Sequence, residues 1–165
     1  MPWRSVIPRR LGWLWIVLGL SGATAQAAVH CLVSANPVGF GTYDPLIATP
    51  DDSTGQVGVS CTNSPPGGTV SMTYRVRLSA GGAASFAPRK LASGPNRLNY
   101  NLYSNTGRTN VWGDGTSGTV TVTGNFNLQV NRTRSRNHSV YGRVPALQDP
   151  AAGSYTDNIV VTLEF

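Results

Sequence analysis

Val70-Ser71-Met72-Thr73-Tyr74-Arg75-Val76-Arg77-Leu78 alternates apolar and polar residues without a break. A period of two puts Val70, Met72, Tyr74, Val76 and Leu78 on one face of an extended chain. The stretch therefore predicts a β-strand with one buried and one solvated face. The same period recurs to either side. Upstream it is carried by Val57, Val59 and Cys61. Downstream, Leu98, Tyr100 and Leu102 alternate with Asn99, Asn101 and Tyr103. Val120, Val122, Phe126, Leu128 and Val130 continue it across Thr119 to Val130, with Gly124 at an inward position. A glycine there marks a bulge or a close approach. Tyr155, Asp157, Ile159, Val161, Leu163 and Phe165 share one face of a last strand.

Turn chemistry separates these runs. Pro65-Pro66-Gly67-Gly68, Ala80-Gly81-Gly82, Ser93-Gly94-Pro95-Asn96, Asn105-Thr106-Gly107 and Gly113-Asp114-Gly115 combine residues that fix φ with residues that tolerate positive φ. The polar stretches 131–137 and 149–153 read as further connections. Six or seven strands at this spacing predict an all-β sandwich. No segment keeps a 3.6-residue period over a helix length, and neither an internal repeat nor a linker divides the chain.

The first thirty residues have a different character. Arg4, Arg9 and Arg10 precede an apolar run from Leu11 to Leu20, and Ala25-Gln26-Ala27 follows as a small-x-small site. This is the layout of a secretory signal peptide. The apolar run is shorter than the roughly 20 residues needed to span a bilayer. Cleavage is expected after Ala27, with Ala25 as the alternative, so residues 1–27 are assigned to the signal and 28–165 to a single mature domain. Three of the 13 basic residues and none of the 7 acidic ones fall within the signal, which lowers the formal charge from +6 to +3. That balance carries no nucleic-acid signature.

Two cysteines remain, Cys31 and Cys61. In a secreted chain an even count predicts a disulfide. It would close a loop of about 30 residues, worth roughly 3–4 kcal/mol on the chain-entropy estimate, and tie the first strand to the second. A metal or redox pair would want a CxxC spacing, which is missing, and only His30 and His138 are on hand to assist. No cofactor is implied. G-x-S-x-G, H-E-x-x-H and phosphate-binding glycine loops are absent from the sequence, so no enzyme is expected. Asp114 suggests a calcium loop, but no second carboxylate lies nearby, and a tight turn is the simpler reading. Arg132, Arg134 and Arg136 form a basic cluster in the 131–137 connection. The choice there lies between contact with acidic surfaces or polysaccharide and a solvated loop, and the loop is the plainer reading. No aromatics interleave with these arginines, which disfavours single-stranded nucleic acid.

Six segments taken together resemble the spore coat protein U domain family, which is also the subunit fold of archaic (Csu-type) chaperone–usher pili. They are Val38-Gly39-Phe40-Gly41-Thr42-Tyr43-Asp44-Pro45, Gly55-Gln56-Val57-Gly58-Val59-Ser60-Cys61, Pro88-Arg89-Lys90-Leu91 with Leu98-Asn99-Tyr100-Asn101-Leu102-Tyr103, Val111-Trp112-Gly113-Asp114-Gly115, Tyr141-Gly142-Arg143-Val144-Pro145 with Gln148, and Gly153 through Leu163. Phe40, Tyr43, Arg89, Tyr100, Tyr103, Trp112, Asp114, Tyr141, Arg143, Tyr155 and Asp157 are the structural residues these segments carry. Asp157 falls on an inward face and needs partners, for which Arg89, Arg143 or backbone N–H groups are candidates.

The resemblance implies an incomplete immunoglobulin-like β-sandwich that lacks its final strand. The gap leaves an apolar groove and an open edge, filled first by a periplasmic chaperone and then by a strand from another pilus subunit. Ile159, Val161, Leu163 and Phe165 are expected to line one side of that groove and to contact the chaperone. An outer-membrane usher, export through the periplasm to the cell surface, and a part in adhesion or biofilm formation follow from the same resemblance. A shaft subunit also needs a donor segment of about 10–15 residues ahead of its first strand. Only Ala28-Val29-His30 stands between the expected cleavage site and Cys31, which points to a tip or minor subunit. Two alternatives remain. One is a coat-like surface protein that assembles without a pilus. The other is a carbohydrate-binding module using Trp112, Tyr103 and Tyr141 as its platform for a surface or sugar receptor.

Overall fold

The computed structural model describes residues 28–165; the expected signal peptide, residues 1–27, lies outside the described residues. Those residues form eight strands and no helix: β1 (Ala28–Asn36), β2 (Asp51–Ser64), β3 (Val70–Leu78), β4 (Arg89–Ser93), β5 (Asn96–Tyr103), β6 (Val122–Leu128), β7 (Arg132–Val144) and β8 (Val161–Glu164). Two sheets pack face to face. One is five-stranded in the order β1-β2-β7-β5-β4, the other three-stranded in the order β6-β3-β8, and the paired strands are antiparallel. The fold is all-β and immunoglobulin-like, with the disulfide Cys31–Cys61 joining directly opposed residues of β1 and β2.

The period-two faces meet at the core. Val57, Val59 and Cys61 of β2, Tyr74, Val76 and Leu78 of β3, Leu98, Tyr100 and Leu102 of β5, Phe126 and Leu128 of β6, and Val140 and Val144 of β7 are buried together. Trp112, on the long connection from β5 to β6, is 0% exposed, and its indole N–H donates to Val76 O at 3.1 Å. A buried indole needs such an acceptor. Gly124 sits where a β-carbon would lie 2.3 Å from the Tyr74 phenol, so the inward glycine of β6 is a close approach.

Three expectations are corrected. The strands number eight. All but Asn131 of the 131–137 segment belongs to the long strand β7, paired residue by residue with β2 from Thr133↔Thr62 to Val144↔Asp51. Its sequence holds no apolar residue to reveal the period; pairing makes the strand, aided by a hydrogen bond between the Thr62 and Thr133 hydroxyls and one from Ser135 to Ser60. The last strand is also shorter than its alternation suggests. Thr156 pairs with Ala92 of β4 in the first sheet, and only Val161–Glu164 pair with β3 in the second. Residues 157–160 cross between the sheets.

Candidate functional site

The crossing is held by named contacts. The Asp157 carboxylate accepts from Gly82 N–H at 2.8 Å, from the Tyr100 hydroxyl at 2.7 Å and from Asn158 N–H at 2.8 Å. Burial, followed by this hydrogen bond to Asp157, pushes the Tyr100 phenol well above its ordinary range, so it stays a donor. Ser79 then receives the chain: its N–H donates to Val160 O at 2.9 Å and its hydroxyl accepts from Val160 N–H at 2.9 Å. Ser79 is fixed in turn by Arg89, whose Nε and Nη2 donate to Ser79 O at 3.0 and 2.8 Å. Arg89 is 0% exposed. It also reaches Trp112 O at 2.7 Å and Asn101 Oδ1 at 2.8 Å, with its guanidinium 4.9 Å from the Phe86 ring. Burial lowers its pKa, while Tyr100, Asp157, Asp114 and Tyr103 oppose that shift.

β8, delivered in this way, is an edge strand, and β1 is one of the two edge strands of the other sheet. Between the end of β1 and the 157–161 segment an apolar cleft opens. It encloses about 230 Å³ and is lined by Ala35, Val38, Leu91, Val140, Ile159 and Val161 among others. A larger hollow of about 920 Å³ lies alongside and shares Pro37, Val38, Phe40, Leu91 and Asp157 as lining. The β1 wall shows the gap best. Val33 and Ala35 lie opposite Val59 and Val57 and share their inward face. Val59 and Val57 are 1% and 2% exposed, yet Val33 is 37% exposed and Ala35 is exposed as well. The inner face of β1 is therefore uncovered in its C-terminal half, whereas Val29 and Cys31 on the same face pack against the core. The end of the cleft is built by residues 37–40 crossing over the first sheet. Val38 packs where Gly55 and Gly142 lack side chains, and Phe40 crosses Gly142 and meets Tyr100 edge-on at 6.0 Å.

Of the residues expected to line the groove, Ile159 and Val161 do line this cleft. Leu163 is half-buried against the core, and Phe165 is 62% exposed beyond the last pairing. The opposite wall, Ala35 at the end of β1 and Val38 just beyond it, is absent from the sequence expectation, although Val29, Cys31, Val33 and Ala35 alternate. The family-like residues are scaffolding. Tyr43 donates to Pro145 O at 3.0 Å and accepts from Gln148 N–H at 2.8 Å. Arg143 forms a two-pronged pair with Asp52 at 2.7 and 2.8 Å, and holds that carboxyl below its ordinary range; Arg108 joins at 3.2 Å. Tyr141 lies under Arg108 at 5.8 Å, and Tyr103 pairs with Tyr141 across β5 and β7. Tyr155 donates to Ala151 O. Asp114 accepts from the Thr116 N–H and hydroxyl, which makes it a turn residue. Among the described residues no salt bridge joins Asp157 to Arg89 or Arg143. No group of three or more potential metal ligands occurs among them either. With Trp112 buried, the three-aromatic sugar platform does not assemble.

The described chain is thus an all-β, immunoglobulin-like sandwich with one disulfide and an apolar inner face exposed toward the end of β1. Residues 17–162 match the Spore Coat Protein U domain, and the chain belongs to that family. It is 31% identical over 133 residues to Protein U of Myxococcus xanthus, covering 76% of this chain and 70% of that one. Among solved structures it resembles the chaperone–tip adhesion subunit pre-assembly complex (CsuC–CsuE) from archaic chaperone–usher Csu pili of Acinetobacter baumannii. The match has 25% identity and a TM-score of 0.54, and covers 84% of this chain and 40% of that chain. This chain thus spans about two fifths of the length of that solved relative.

Proposed function

We propose that the protein is a structural, non-catalytic subunit of a secreted surface fibre of the archaic chaperone–usher type, and that the cleft between β1 and β8 accepts a donor strand. One observation carries the reading: the apolar inner face of β1 is exposed at Val33 and Ala35 while the same face of β2 is buried. An inserted strand would hydrogen-bond the free edge of β8 or β1 and send alternate apolar side chains against Val33, Ala35, Ile159 and Val161. Main-chain bonds would give the affinity and the side-chain pockets the register. A periplasmic chaperone supplies that strand first, after export directed by residues 1–27. A neighbouring subunit replaces it at the outer-membrane usher.

The subunit sits at or near the fibre tip, or is a minor component, and serves attachment and biofilm formation. In support, Ala28 to Asn36 are paired along their whole length with β2, so this segment is committed within its own fold. A donor-strand peptide with alternating apolar residues tests the reading. The chain purified with its chaperone should exchange the chaperone for the peptide. Ile159→Asp should abolish exchange while the disulfide and strand content persist. Peptide binding unaffected by Ile159→Asp would refute the acceptor role, and growth of long fibres from this chain alone would refute the terminal one. The likeness to Protein U favours a second reading, a coat-like surface protein assembled by the same strand exchange without an usher. Export of the protein to the surface in a strain lacking the usher separates the two.

A further inference from the structure

Arg132, Arg134 and Arg136 have a geometry that a loop would not give them. They are alternate residues of β7, all exposed, and therefore project from one face at intervals of about 7 Å along roughly 14 Å of strand. Register assigns the face. Arg136 lies opposite Val59 and Arg134 opposite Cys61, both inward residues, and the Arg136 guanidinium stands 6.0 Å from the Phe126 ring. The arginines thus follow the rim where β7 overhangs the smaller sheet. Thr133, Ser135 and Asn137 occupy the other face of the same stretch. β5 pairs with β7 only at 141–143, so no strand covers this side of 132–140 among the described residues.

The stripe is also uncompensated. Among the described residues none of the three guanidinium groups has a salt-bridge or hydrogen-bond partner, while Glu164 pairs with Arg75 and Arg77, and Asp52 with Arg143 and Arg108. Asp157 and Asp114 are engaged in the turns described above. The local field is felt nearby: Arg136 helps hold the His138 imidazole, already lowered by burial, below its ordinary range.

We propose that this edge of β7 binds an extended anionic polysaccharide, with the three guanidiniums pairing successive carboxylates or sulfates and the opposite-face hydroxyls and amide meeting sugar hydroxyls. Guanidinium groups suit planar carboxylates and other oxyanions. Evenly spaced cations on an open strand match a linear polymer of regularly spaced charge better than a compact ligand. Phe126 and Tyr74, the aromatic rings at this rim, are buried, which leaves no platform on which a nucleobase could stack. The surface is separate from the cleft, so the two proposals fail independently.

The test measures binding of polygalacturonate, neutral dextran and duplex DNA to the chain in complex with its chaperone. Polygalacturonate should bind in a salt-sensitive manner, and neutral dextran should not bind. Replacing all three arginines by Gln should weaken binding by about tenfold or more, given the modest worth of each exposed charge pair. The corresponding triple Lys variant keeps the charge without the planar fork and should bind more tightly than the triple Gln variant but more weakly than the parent. Lys90→Gln with Arg97→Gln, on β4 and β5, removes two positive charges elsewhere on the surface and should leave binding within about threefold of the parent. No polygalacturonate binding, equal losses in the control, or duplex DNA bound as tightly as polygalacturonate would overturn the proposal.

Discussion

Arg89→Met is the substitution with the largest worked consequence. The side chain is fully buried and makes four hydrogen bonds, two to Ser79 O and one each to Trp112 O and Asn101 Oδ1. Methionine follows the aliphatic stem but leaves the Ser79 and Trp112 carbonyls without those donors. Each orphaned buried acceptor costs about 1–3 kcal/mol. Relief from burying the charge returns part of that. The net loss should be about 3 kcal/mol, a large share of the roughly 5–15 kcal/mol that holds a domain folded. With a urea dependence of about 2 kcal/mol per molar, the unfolding midpoint should fall by about 1.5 M. Trp112 is the sole tryptophan of residues 28–165 and is buried, so its fluorescence reports the transition.

Arg89→Lys keeps the charge without the planar fork and should lie between the two. A second effect follows from the chain of contacts Arg89, Ser79, Val160: loosening Ser79 releases the start of β8, so donor-peptide affinity should fall as well. A midpoint within about 0.3 M of the parent would refute the network as the element that positions β8.

Three further outcomes are expected. His138 shares a hydrogen bond with Tyr74 at 2.9 Å, and burial together with Arg136 keeps its pKa below the ordinary 6.5. The folded state therefore binds this proton less readily than the unfolded one. Urea midpoints should be level above the ordinary histidine pKa of about 6.5, decline as pH falls below it, and lose that slope in His138→Gln. Gly124→Ala should cost about 1–3 kcal/mol by calorimetry, because its methyl group would overlap the buried Tyr74 ring. Asp52→Asn breaks a pair that is about one third exposed, so the same measurement should register less than about 1 kcal/mol.

The strands with a strict period were legible in the sequence: β3, β5 and β6 lie within a few residues of where alternation put them, and the two cysteines pair as expected. Elsewhere tertiary pairing decided the outcome. Residues 132–137 are polar throughout, so nothing local separates a turn from a strand. β2 is the template that makes the strand. Tyr155 to Phe165 alternate as if continuous, but Asp157 and Ser79 capture the chain midway and move it from one sheet to the other. The cleft was half legible for the same reason. Ile159 and Val161 stand out as inward residues of an apolar run. That Ala35 and Val38 face them across a gap depends on how the two sheets are placed, which no single segment encodes.

The central claim is that the cleft between β1 and β8 is the place of an exchanged strand. Solving the structure of the chain purified with its periplasmic chaperone tests it most directly. The account predicts an extended chaperone strand between β1 and β8, hydrogen-bonded along one of these edges, with apolar side chains covering Val33, Ala35, Ile159 and Val161. A chaperone docked elsewhere, with the inner face of β1 still bare, would contradict it.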